Sequence, residues 1–83
     1  MVVSRWFHAT ENFSEVYVLN AAGDRVDAVV DPGTPYWLID TTSDFGPVAL
    51  YNHHPGGVDV IPLAPPIVDG SRIIIIIRPV VLG

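Results

Sequence analysis

The hydrophobic positions of this chain follow a period of two, whereas an amphipathic helix needs a period of about 3.6. In residues 25–30, Val26, Ala28 and Val30 occupy the even positions. Two of the three odd positions of this segment are charged. Because successive residues of a strand point to opposite sides of a sheet, these even positions are expected to face the core. Prolines and glycines recur so often from Asp31 onward that no window of a dozen residues is free of them. The pattern therefore predicts strands and no helix.

Turn-forming residues divide the chain into short segments at the spacing of about 8–12 residues that is typical of a sandwich or a small barrel. The clearest turn signals are 20–24, which contains Gly23, and Asp31-Pro32-Gly33. Polar loops are predicted at 40–46 and 52–57. The predicted strands are residues 16–19, 25–30, 35–39, 48–51, 58–61 and 71–79.

The fold class predicted from this pattern is all-β, a small antiparallel β-sandwich or β-barrel. The length of 83 residues suits one domain spanning residues 1–83. Residues 62–66 read Pro-Leu-Ala-Pro-Pro, and we expect an edge strand or a crossover there because proline cannot donate a ladder hydrogen bond. Residues 71–83 are expected to form an apolar C-terminal strand and tail.

The strongest strand signal is the unbroken isoleucine run from Ile73 to Ile77. Ile73, Ile75 and Ile77 share one side of a strand, and Ile74 and Ile76 share the other. Both sides are apolar, although the chain predicts no helices that could cover the second one. We expect the odd positions to lie in the core. The even side either is covered by a loop, such as the segment 62–66, or meets another subunit, and we favour the second interpretation. The predicted interface residues are Arg72, Ile74, Ile76, Arg78, Val80 and Leu82.

Composition supports an interface of this kind. Only 16% of the residues are charged and 49% are hydrophobic, whereas soluble domains carry about 25% charged residues, so a partner is expected to cover part of the surface. The formal net charge of −5 disfavours nucleic acid and anionic lipid as partners.

The chain has no cysteine, which excludes disulfides and thiolate chemistry. It contains no lysine, and its residue usage is typical of GC-rich coding, as in actinobacteria and their phages.

The sequence predicts neither export nor membrane insertion. The N-terminal residues lack the apolar stretch of a signal peptide, and the longest apolar run of five residues is far shorter than the roughly 20 that span a bilayer as a helix. We therefore expect the protein to be made in the cytoplasm.

Three candidate chemical sites are weaker than the interface. His53 and His54, with His8 and Asp59, could contribute metal ligands, but adjacent residues seldom turn to one ion and the pair precedes Pro-Gly-Gly. We expect no metal and no other cofactor.

Exposed aromatic residues could build a sugar-binding platform, which makes a carbohydrate-binding β module the alternative function. The aromatic candidates are Trp6, Tyr36, Trp37 and Tyr51.

The segment Leu38-Ile39-Asp40-Thr41 resembles the stretch that carries the catalytic aspartate of dimeric retroviral-type aspartic proteases. The resemblance covers four residues and would make Asp40 the catalytic group. The family has glycine where this chain has Thr42, and that glycine frees the loop that holds two carboxylates together. The protease is therefore the third hypothesis.

The function predicted from the sequence is non-enzymatic assembly through protein–protein contacts. The expected partners are further copies of the chain, in a homo-oligomer, or a larger structural protein such as a capsid or tail subunit. Within this class, small size, an apolar surface and GC-rich coding favour a bacteriophage virion component, for example a capsid decoration protein or a head–tail or tail accessory subunit.

Overall fold

A computed structural model describes residues 2–8, 15–63 and 72–78 of the chain, which form eight strands and one short 3-10 turn, Ser43–Phe45. No helix in these ranges is long and apolar enough to cross a membrane. The strands are β1 (Val2–His8), β2 (Glu15–Asn20), β3 (Arg25–Asp27), β4 (Val29–Val30), β5 (Trp37–Thr42), β6 (Pro47–His54), β7 (Gly57–Pro62) and β8 (Arg72–Arg78).

The strands form two four-stranded sheets that pack face to face, so the predicted β-sandwich is confirmed. Sheet A has the strand order β1-β8-β5-β4, and sheet B has the order β3-β2-β6-β7. All pairs are antiparallel except β1 and β8, which run parallel. The sequence pattern predicts β2 to β8 in outline, and it does not predict β1.

The core lies between the two sheets and is aliphatic. Sheet A contributes alternate residues of β5 and β8, and sheet B contributes alternate residues of β2 and β6, as the period of two requires. Phe7, Trp37 and Phe45 pack against this cluster from its margins. The buried cluster consists of Val16, Val18, Ile39, Leu50, Ile73, Ile75 and Ile77.

The hairpin between β2 and β3 is confirmed, and the side chain of Asn20 organises its turn. The Asn20 Oδ1 atom accepts hydrogen bonds from the backbone N–H groups of Ala22 at 3.0 Å and Asp24 at 2.8 Å. Gly23 adopts a φ of 88°, which is favourable only for glycine. The turn is therefore determined by local sequence.

The predicted strand 25–30 is divided at Ala28 between the two sheets. Val26 and Ala28 pack against the core as expected, and the Ala28 N–H donates to the Val16 carbonyl at 2.9 Å. The chain then crosses to sheet A, where β4 pairs with β5. The prediction that Val30 faces the core is wrong, because this edge position leaves Val30 57% exposed.

Both predicted polar loops are shorter than the sequence suggests. β5 continues to Thr42, whose Oγ1 accepts the Phe45 N–H at 3.4 Å and caps the 3-10 turn. β6 continues to His54, so the loop prediction is wrong for residues 52–54. Only residues 55–56 turn the chain into β7.

Of the segment 62–66, predicted as an edge strand or a crossover, Pro62 ends β7 at the edge of sheet B. Residues 64–66 lie outside the described ranges. The predicted C-terminal strand is β8, and residues 79–83 with Val80 and Leu82 also lie outside those ranges.

Among the described residues, the buried amide of Asn52 has no hydrogen bond at either of its polar atoms. Asn52 lies on the inner side of β6 with no exposed surface, and neither its Nδ2 nor its Oδ1 atom has a partner. A buried amide without a partner lowers the stability of the fold, because it has lost its hydrogen bonds to water.

We expect Ile75→Ala to reduce the free energy of unfolding by about 2–5 kcal/mol, because it leaves a cavity in the core. Ile74→Ala, its neighbour on the outer side of β8, should cost less than half as much. Urea denaturation at low protein concentration measures both. Equal losses would show that β8 is covered on both sides within one chain.

We expect Asn52→Leu to raise the free energy of unfolding by about 1–3 kcal/mol, since it removes an unpaired buried amide at nearly constant volume. Asn20→Leu is the matched control, and it should lose stability because the Asn20 amide is hydrogen-bonded. Denaturation curves of both variants give the comparison. A loss of stability in Asn52→Leu would contradict the absence of a partner.

Candidate functional site

The candidate site is the outer face of sheet A, where the even residues of β8 point away from the core. Ile73, Ile75 and Ile77 are at most 2% exposed and belong to the core cluster, as predicted. Ile74 and Ile76 are half-buried between the neighbouring strands β1 and β5. The parity of the isoleucine run thus divides it between an inner and an outer side.

An apolar centre forms on this outer face because paired residues of neighbouring strands share a side. Leu38 of β5 pairs with Ile76, and Val29 of β4 pairs with Leu38. Leu38 is half-buried, and Val29 is 61% exposed. Together with Ile74 they form an aliphatic surface across β4, β5 and β8. We call Val29, Leu38, Ile74 and Ile76 the apolar centre.

A two-bond ion pair borders the apolar centre next to Ile74. Arg72 Nε donates to Asp40 Oδ1 at 3.0 Å, and a terminal guanidinium nitrogen donates to Asp40 Oδ2 at 2.6 Å. The Arg72 hydrogen bond and charge hold the pKa of Asp40 below its usual value, and Asp40 raises the pKa of Arg72. Both side chains are about half exposed, so the pair remains hydrated in the free chain.

The opposite end of the apolar centre is bordered by a second basic residue. The Arg78 guanidinium lies 5.4 Å from the centre of the Tyr36 ring, and one of its nitrogens is 3.5 Å from the Tyr36 hydroxyl. On the β1 side, Ser4 pairs with Ile74 and is exposed. An aliphatic centre with a polar margin is the arrangement of protein–protein interfaces.

Of the predicted interface residues, the structure places Arg72, Ile74, Ile76 and Arg78 on one face. Leu38, Val29 and Asp40 also lie on this face, although they are not among the interface residues predicted from the sequence. Their contribution depends on the register between strands distant in sequence, and no local pattern reveals that register.

The placement of Asp40 does not suit an aspartic protease. Asp40 lies within β5 rather than in a tight loop, and its carboxylate is bound by Arg72. The hydrogen bond and the charge of Arg72 lower the pKa of this carboxyl.

The two neighbouring histidines point to opposite sides of sheet B, so they cannot bind one ion together. The His53 Nε2 atom is 2.9 Å from the Tyr17 hydroxyl on the outer side. His54 accepts the Gly56 N–H at its Nδ1 atom, 3.1 Å away, which leaves the proton on Nε2, facing Asp59 Oδ2 at 3.1 Å. That tautomer has no lone pair at Nε2 for a metal. Among the described residues no three metal-binding side chains cluster.

The aromatic side chains that the structure describes do not form one open platform. Trp37 packs against the core and Tyr36 lies beside Arg78, whereas Tyr51 is on the outer side of sheet B. There Tyr17 stacks on Tyr51 with ring centres 5.4 Å apart at 10°. The side chain of Trp6 lies outside the described part of the structure.

Within the stack on sheet B, the Tyr17 ring is contacted by two other side chains. The Arg25 guanidinium lies 3.7 Å from the centre of the Tyr17 ring, and it also forms ion pairs with Glu15 and Asp27. Because Tyr51 and Arg25 both lie against the Tyr17 ring, Tyr17 does not offer an open face to a sugar. The geometry therefore favours the outer face of sheet A over a carbohydrate site.

Comparisons of the chain with protein-family models, with curated proteins and with solved structures gave no match.

Proposed function

We propose that this protein is an assembly subunit that associates with further copies of itself through the outer face of sheet A. The observation that carries the proposal is the apolar centre on the side of β8 that faces away from the core between the two sheets. Covering Ile74, Ile76, Leu38 and Val29 removes apolar surface from water at about 25 cal/mol per Å², the main driving force of association.

The polar margin supports the same function. Arg72 and Asp40 neutralise each other within one chain, so a partner surface can cover their neighbourhood without leaving an unpaired charge. Burial of an unpaired carboxylate or guanidinium would cost several kcal/mol. The bond geometry also fixes both side chains before association, which reduces the entropy lost on binding.

Within this proposal, we favour a structural component of a bacteriophage virion, such as a capsid decoration protein or a head–tail or tail accessory subunit. The support for the finer class is the small size, the lack of lysine and the apolar surface. A larger capsid or tail protein would then be the second partner.

Ile74→Glu tests the assembly proposal. The substitution places a charge in the apolar centre without entering the core, so we expect a folded chain with strongly weakened self-association. Sedimentation velocity over a range of concentrations measures the assembly, and circular dichroism verifies the fold.

The matched control is Val48→Glu, since Val48 is 48% exposed and lies on the other sheet. This variant should associate like the wild type. A wild-type chain that stays monomeric at millimolar concentration, or an Ile74→Glu chain that assembles normally, would contradict self-association through this face.

A further inference from the structure

Within residues 2–8, 15–63 and 72–78, the strand β7 has a strand partner on one side of its backbone only, because it ends the order of sheet B. Its register with β6 identifies the free groups. The Leu63 N–H donates to the Val48 carbonyl at 3.0 Å, and the ladder then continues through odd-numbered residues of β7. Hydrogen bonding alternates along an antiparallel strand, so the N–H and C=O groups of Val58 and Val60 point away from β6.

The outer side of this edge carries no charged side chain. Val58 and Val60 are 47% and 51% exposed on the outer side. The one charged residue of β7, Asp59, lies on the inner side, with its Oδ2 atom 3.1 Å from the His54 Nε2 atom. Edge strands are protected by inward-pointing charges and by proline, and β7 has one of each, Asp59 and, at its end, Pro62.

The other edges whose side chains the structure describes differ from β7. Strand β3 has three residues, and its outer side carries the exposed charges of Arg25 and Asp27. Strand β4 has two residues and cannot support a longer ladder. Among these edges, β7 is the one with the length and the neutral surface needed to pair with another strand.

We propose that β7 pairs antiparallel with β7 of a second copy of this chain across a two-fold axis. The two copies of sheet B would then form one continuous sheet. The interaction goes beyond the proposed function, because it uses sheet B and a backbone edge rather than the outer face of sheet A.

The register that fits places Val60 opposite Val60 of the second copy, with Val58 opposite Pro62. The two Val60 residues exchange N–H to C=O bonds in both directions, and each Val58 N–H donates to the Pro62 carbonyl of the other copy. The missing N–H of Pro62 falls at the end of this ladder. In this register Asp59 lies opposite Ile61 of the second copy. A register with the two-fold axis at Asp59 would instead place the Asp59 carboxylates of the two copies opposite each other, which is unfavourable.

A second copy suits this edge electrostatically as well. Each chain carries a formal net charge of −5, so two copies repel except where the facing surfaces are neutral. The outer side of β7 presents Val58, Val60 and Pro62, which are uncharged. A single strand pair buries less surface than a standard interface, which buries about 1,200–2,000 Å². The dimer is therefore weak, and its population depends on the protein concentration.

Amide hydrogen exchange tests the pairing directly in the wild-type chain. Val58 and Val60 should exchange rapidly in dilute solution and become protected between roughly 1 μM and 1 mM, the range of weak dissociation constants. The amides of Asp59 and Ile61 are internal controls, because they bond to β6 and should be protected at every concentration. Rapid exchange at Val58 and Val60 at 1 mM would overturn the proposal.

Val60→Pro removes the donor on the free edge and leaves the ladder to β6 complete, a position where edge strands tolerate proline. Val60→Lys is the second variant, which keeps the N–H and places two like charges at the two-fold axis. Both should lose the concentration-dependent protection at Val58. Val48→Lys, at an equally exposed valine of β6, should retain it.

Combining these variants with Ile74→Glu separates the two interfaces. We expect assemblies larger than dimers for the wild type, dimers for Ile74→Glu and for Val60→Lys, and monomers for the double variant. If Val60→Lys assembles like the wild type, the edge pairing is wrong. If Ile74→Glu does so, the face proposal is wrong and the edge proposal stands.

Discussion

The fold depends on the burial of alternate isoleucines of β8 against the aliphatic residues of sheet B. Ile75 and Ile77 meet the cluster that contains Val18 and Leu50, and this contact joins the two sheets. The same strand holds sheet A together, because β1 pairs with β8 alone and β5 pairs with it on the other side. Without β8, sheet A would lose its centre and the core would lose one wall.

A two-layer fold of this length buries only one side of each sheet. Apolar groups on the outer sides must therefore be covered by other side chains or by a partner. On sheet B, Tyr17 and Tyr51 stack on each other, and Arg25 covers the stack while pairing with Glu15. On sheet A, no aromatic stack or ion-pair cluster among the described side chains covers the even isoleucines. The difference between the two outer sides is the physical reason for assigning association to sheet A.

The sequence predicted the features that depend on local chemistry or on parity. Asn20 and Gly23 determine their turn within a few residues. The alternation of strand residues is sufficient to assign Ile73, Ile75 and Ile77 to the core. The features that it missed depend on distant partners. The crossing at Ala28 and the parallel pairing of β1 with β8 follow from packing between segments far apart in sequence.

The candidate site shows the same division. Arg72, Ile74, Ile76 and Arg78 follow from one strand, so the sequence could group them. Leu38, Val29 and Asp40 join them only through the register of β4, β5 and β8, which the sequence does not encode locally. The histidines were assigned to a loop because Pro-Gly-Gly follows them, but the ladder between β6 and β7 extends the strand to His54.

Two self-complementary contacts on different sheets would have a consequence that neither has alone. If copies join through the outer face of sheet A and also through β7, each dimer retains a second, unused contact, and alternating contacts build an open chain of subunits. The apolar centre and the outer side of β7 carry no charge, and Arg72 and Asp40 neutralise each other, whereas the whole chain has a formal net charge of −5. Salt screens that repulsion without weakening apolar burial, so growth of the assembly would strengthen with ionic strength, opposite to an interface held by ion pairs between chains.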